Sequence, residues 1–170
     1  MIIHPFEPVF DKNSSILILG TFPSVKSREY GFYYGHPRNR FWKLIADLTN
    51  DEKIPESVEE KKELLIRGKI ALWDVIKSCD IQGSSDASIT NAIPNDLSRI
   101  TEFADIKQIY ANGEKAYKIY MKHCYENTGR EIVKLPSTSP ANASFDFKKL
   151  KSTWKIIGKF MARKNFLIFS

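Results

Sequence analysis

The tightest constraint on this chain is a short, continuous apolar run, Ser15-Ile-Leu-Ile-Leu-Gly20. It is too short for a helix, rich in β-branched side chains and closed by a glycine. Such a run predicts a strand buried on both faces, as in a parallel sheet. Three further runs share this character: Lys69–Val75, Ile106–Ala111 and Glu131–Leu135. Between them lie segments with helical spacing. Residues 38–49 carry Phe41, Trp42, Leu44, Ile45 and Leu48, with Pro37 as a first-turn residue, so that Asn39 falls in the first helical turn. Val58–Arg67 follows a Ser57/Glu60 capping box and stops at Gly68. A short helix is expected after Asn95 as its cap, ending near Ala104, and a longer one over Glu114–Tyr125. Residues 1–14 read as an extended lead-in, Thr21–Ser24 as a loop, and Ser78–Asn95 as mainly a long loop. Alternating strands and helices predict a single α/β domain over residues 1–170. Its architecture is a three-layer αβα sandwich around a central four-stranded, mainly parallel sheet.

Ligands of such sheets sit beyond the carboxyl ends of the strands. The segments found there are Thr21–Asn39, Asp74–Ser88, Asn112–Gly113 and Pro136–Ser144, the polar and aromatic stretches of the chain. The densest is Gly31-Phe-Tyr-Tyr-Gly-His-Pro-Arg-Asn-Arg-Phe-Trp42, which mixes rings, glycines, arginines and an amide. That mixture suits a pocket that stacks a flat ligand and hydrogen-bonds its edge.

Standard chemistries are absent from the pattern. There is no phosphate-binding G-x-x-x-x-G-K-[ST] loop, no G-x-G-x-x-G and no G-x-S-x-G elbow. His4, His36 and His123 are scattered without metal spacing, so neither a metal nor another cofactor is expected. No stretch of eighteen apolar residues predicts a membrane span, and the amino terminus does not read as a secretory signal. Cys79 and Cys124 are expected as free thiols, which points to a cytoplasmic protein, or a nuclear one in a eukaryote. The net charge of +6 favours an anionic partner. Seven basic residues and one acid fall between Asp146 and Asn165, where Lys148, Lys151, Lys155 and Lys159 share a helix stripe opposite Leu150, Trp154, Ile157 and Met161. This stripe is either a solvated face or a phosphate-binding one. Rings, amides and positive charge together fit recognition of a nucleic-acid base, with Phe22, Phe32, Tyr33 and Tyr34 as stacking candidates and Asp74 and Asn112 at the base edge.

The motifs carry a resemblance. Gly35-His-Pro-Arg-Asn-Arg-Phe-Trp-Lys43, Leu19-Gly-Thr-Phe-Pro-Ser24 and Leu135-Pro-Ser-Thr-Ser-Pro-Ala-Asn-Ala143 resemble the motifs of the uracil-DNA glycosylase superfamily. Their form is closest to its hypoxanthine-DNA glycosylase branch. Ala71–Ile76, Gly83–Ile89 and Asn112–Ala116 look like that branch too. The resemblance implies a monofunctional base-excision enzyme acting on damaged DNA as a monomer. Hypoxanthine is the expected target; the alternatives are a uracil or mismatch glycosylase and an inactive nucleic-acid-binding module of the same fold. Where many members carry a catalytic Asp or Asn after the first glycine, this chain has Thr21-Phe22-Pro23. The resemblance therefore moves the water-positioning role onto Asn39, a position that also suits bracing of the helix start. It implies DNA contacts from Ser24, Arg38, Ser137, Thr138, Ser139, Pro140, Ala141 and Asn142, to which the basic stripe adds Lys148 on its phosphate-binding reading.

Overall fold

A computed structural model describes residues 1–164. The strands are β1 (Ile2–Ile3), β2 (Ile16–Gly20), β3 (Ile70–Asp74), β4 (Ile76–Asp80), β5 (Thr90–Pro94), β6 (Gln108–Asn112) and β7 (Ile132–Leu135). The helices are α1 (Val25–Tyr30), α2 (Phe41–Leu48), α3 (Val58–Arg67), α4 (Ser98–Thr101), α5 (Glu114–His123), α6 (Tyr125–Thr128) and α7 (Phe147–Trp154), with 3-10 turns at Asp86–Ser88 and Lys155–Lys159. The four apolar runs form one parallel sheet in the order β3-β2-β6-β7. Every residue of β2 and β3 is buried, which is why neither run alternates with polar residues. Helix α3 packs on β3, α5 on β6 and β7, and α2 against α7, giving the three-layer sandwich. The register places Gly20 beside Asp74 and Asn112 beside Leu135, so the four strands end together on one edge.

Several expectations are corrected. The stretch after β3 is a second, antiparallel sheet in the order β1-β4-β5, with only a short 3-10 turn between β4 and β5. Strands β4 and β5 interleave polar with apolar residues, so they carry no apolar run to betray them. The lead-in contributes β1, and His4 N–H continues its pairing by donating to Lys77 O at 2.7 Å. The loop after β2 contains α1, capped by the Ser24 hydroxyl, which accepts from Ser27 N–H, and closed by Gly31 at φ +90°.

Helix α2 begins at Phe41 rather than near Pro37, because Arg38 N–H and Asn39 N–H turn back onto His36 Nδ1 and His36 O. Asn39 thus lies before the helix. Asn95 caps nothing; its amide donates to Asp74 O at 2.8 Å, while Asp96 Oδ1 accepts from Ser98 N–H at the start of α4. Helix α7 gives way to a 3-10 turn at Lys155, so the basic stripe spans two elements, and Lys151, Lys155 and Lys159 line one groove. The opposing Leu150, Trp154, Ile157 and Met161 are all buried. Residue 165, the end of the expected basic segment, lies outside the described residues.

Candidate active site

A cleft of about 910 Å³ opens at the common carboxyl edge of the parallel sheet. Gly20, Asp74 and Asn112 form its floor at the ends of β2, β3 and β6. Phe22, Ser24, Tyr33 and Tyr34 border one side, Asn39 and residues 136–142 another, and Ser84–Asp86 the mouth. Gly20 is required by its surroundings. A Cβ there would overlap Asp74 Oδ1 and stand 2.7 Å from the Tyr34 hydroxyl oxygen.

Asp74 is buried and paired with a residue that the sequence did not single out. His4 Nε2 lies 2.7 Å from Asp74 Oδ2, and both side chains are nearly inaccessible. His4 Nδ1 sits 3.1 Å from Phe6 N and 3.0 Å from Phe6 O. Whether neutral with Nδ1 accepting or doubly protonated, the ring carries its Nε2 proton toward the carboxylate. Oδ2 is therefore occupied, and among the described residues no donor reaches Oδ1.

The rings divide. Tyr34 stacks on Phe41 at 4.2 Å between centroids and adopts φ +53°, a left-handed conformation costing about 1–2 kcal/mol for a residue with a Cβ. Among the described residues its buried hydroxyl makes no hydrogen bond of full geometry, with the Asn112 side chain beside it. Tyr33 borders the cleft but sends its hydroxyl to Glu7 O at 2.8 Å. Burial first, and the Asp74 carboxylate second, push both phenols up, so both stay protonated. Phe32 is not in the cleft. It stacks on Trp42 at 6.0 Å between centroids in the core. Asp86 is pushed above the ordinary carboxylate range by desolvation and by Asp74, opposed by Lys115 and Thr21.

Asn39, Thr138 and Asn112 form one hydrogen-bonded chain. Thr138 N–H donates to Asn112 Oδ1 at 3.0 Å, and Asn112 Nδ2 returns a bond to Thr138 Oγ1 at 3.0 Å. Thr138 Oγ1 donates to Asn39 Oδ1 at 2.9 Å, and Phe41 N–H donates to the same oxygen at 3.0 Å. Arg40 clamps the loop carrying Thr138. Its backbone N–H and Nε reach Thr138 O, its Nη2 reaches Ser139 O and Asn142 O, and its Nη1 reaches Phe145 O. Asn142 Nδ2 donates to Ser137 O at 3.0 Å and stiffens the same turn, which also carries Pro140 and Ala141.

Residues 7–160 match the family model described as the uracil DNA glycosylase superfamily. The chain belongs to this superfamily. It is 35% identical over 158 residues to a protein of Methanosarcina acetivorans named hypoxanthine DNA glycosylase, covering 92% of this chain and 98% of that one. A protein of the same name from Methanosarcina barkeri is 35% identical over 150 residues, 88% of this chain and 93% of that one. A solution NMR structure described as a candidate uracil DNA glycosylase from Methanosarcina acetivorans superposes with a TM-score of 0.78 at 35% identity, covering 92% and 96% of the two chains.

Within the superfamily frame, the segment after Gly20 offers no carboxylate or amide; the amides lining the cleft are those of Asn39, Asn112 and Asn142. Two residues expected to touch DNA lie off the cleft: Arg38 and Lys148 are exposed and do not line it. The helix that carries Lys148 turns its charges outward along a separate groove, where Lys151 pairs with Asp47 at 3.1 Å. His4 has no sequence signal because its role is tertiary. It lies 70 residues from Asp74, in a segment with no motif.

Proposed function

We propose that the protein is a monofunctional DNA glycosylase that hydrolyses the N-glycosidic bond of deaminated bases, with hypoxanthine in deoxyinosine as the preferred target. The observation that carries this reading is convergence: Asn39, the open Asp74 oxygen and the Ser137–Asn142 loop all border one cleft. The names and sequence identity of the two Methanosarcina relatives support the choice of base. The target nucleotide leaves the stack at a cost of a few kcal/mol, smallest at a mismatched or damaged base. Ser137, Ser139, Pro140 and Ala141 form a stiff loop suited to filling the gap and gripping the flanking phosphates.

Hypoxanthine presents an N1–H donor beside its O6 acceptor. Asp74 Oδ1 accepts from N1–H, whereas adenine would set a lone pair against the carboxylate. In the reaction, water forms a bond to C1′, the C1′–N9 bond breaks, its electron pair leaves with the base, and the water's proton passes to solvent. Positive charge gathers on the sugar as the electron pair leaves with the base. Asn39 cannot act as a strong base, since an amide does not titrate near neutrality; it positions the water. Lys134 is the lysine lining the cleft, and Glu114 holds it at 2.6 Å and raises its pKa. It stays protonated and is a poor nucleophile, which supports hydrolysis without a strand-cleaving amine step.

The test is incubation with labelled duplexes containing deoxyinosine, deoxyuridine or neither, followed by alkali. Deoxyinosine-dependent cleavage is the expected outcome. Faster processing of deoxyuridine would make the protein a uracil enzyme, and salt-sensitive binding with no abasic product would make it a binding module.

A further inference from the structure

We infer that Thr138 is a positioning residue that fixes Asn39 as a hydrogen-bond donor, so that the attacking water is held by its oxygen and not by its proton. This rests on the glycosylase reading above and refines it. Each bond in the Asn112–Thr138–Asn39 chain has a fixed direction. Thr138 N–H has one orientation, and it donates to Asn112 Oδ1. That turns Asn112 Nδ2 onto Thr138 Oγ1. The hydroxyl has a single proton, and having accepted from Asn112 it directs that proton to Asn39 Oδ1. Phe41 N–H donates to the same oxygen. An amide oxygen has two lone pairs, and both are now filled.

Flipping Asn39 would place its amino group against Phe41 N–H and remove the acceptor from the Thr138 hydroxyl, in a part-buried site. Asn39 therefore keeps Nδ2 for the cleft, and an amino group only donates. One lone pair of the water is bound by Nδ2–H, leaving the other for C1′ and both protons free to depart. Thr138 is fully buried, and Arg40 fixes its carbonyl twice, so the polarity of Asn39 is locked to the loop that would meet the DNA. Asn112 ends β6, so the relay runs from the sheet edge through that loop to the reacting water.

The test compares the full-length parent with Asn39→Asp, Thr138→Val and Thr138→Ser in single-turnover release of hypoxanthine from a deoxyinosine duplex, at saturating enzyme and through an enzyme titration. Aspartate keeps the acceptor oxygen and puts a second acceptor in place of the donor, so Asn39→Asp is expected to slow release about 100-fold or more. Thr138→Val is expected to slow release roughly tenfold with an unchanged half-saturating concentration, and Thr138→Ser to return within about threefold of the parent. An Asn39→Asp protein at or above the parent rate would overturn the donor assignment. Thr138→Val at the parent rate, or a loss confined to the half-saturating concentration, would overturn the positioning role. If Thr138→Val does not fold, Asn39→Asp decides the polarity and Thr138→Ala carries the same kinetic comparison. A parent that releases no hypoxanthine contradicts the glycosylase reading instead. The relay is then read from the Asn39 side-chain amide resonances, which shift on removal of the Thr138 hydroxyl if the bond exists and stay fixed if it does not.

Discussion

The polarity of single groups decides what this cleft can recognise. Asp74 is held by His4 at one oxygen, which leaves the other as an acceptor. Substituting Asp74→Asn keeps the shape and the bond from His4 Nε2–H, but then turns an amino group toward the base. We expect single-turnover release of hypoxanthine to fall roughly 10–100-fold, the cost of opposing two buried donors; an unchanged rate would remove Asp74 from base recognition. The residues of this floor are unequally legible in the sequence. Asp74, Asn112 and Tyr34 can be placed because each follows a recognisable strand or motif. His4 cannot, since nothing local marks a histidine that acts across 70 residues. Phe32 cannot be told from Tyr34 either, because both rings stack on α2 and composition does not record that only Tyr34 borders the cleft.

At the level of elements, the loop over residues 136–145 is shaped by Arg40 more than by its own sequence. Four carbonyls of that loop accept from one guanidinium and its backbone N–H. A lysine cannot reproduce this fork. Arg40→Lys is therefore expected to raise hydrogen exchange across residues 137–145 and to slow base release by about tenfold or more, the loss of at least one charged hydrogen bond. Exchange at the parent level would mean that Pro136 and Pro140 alone hold the loop. Strands β2 and β3 are readable because burial on both faces leaves uninterrupted apolar runs, and β6 keeps four buried residues in a row. The antiparallel strands β4 and β5 are not, because one face meets solvent and their polar residues mimic a loop. Helix α1 escapes because six residues with one buried side chain show no period.

Over the whole molecule, a net charge of +6 must act through its placement. Lys148 and Lys155 are exposed, whereas Lys151 is partly neutralised by Asp47. If these lysines meet phosphates, replacing Lys148 and Lys155 by Gln lowers the slope of log affinity against log salt by about 0.9 for each lysine–phosphate pair removed. An unchanged slope returns α7 to a solvated face. The central claim is that Asn39 and the strand-end cleft remove hypoxanthine from DNA. Its most direct measurement is the free base released from a deoxyinosine duplex by the parent and by Asn39→Ala, at equal and saturating enzyme. The account predicts release by the parent and a rate at least about 100-fold lower for the variant. Equal rates would contradict it.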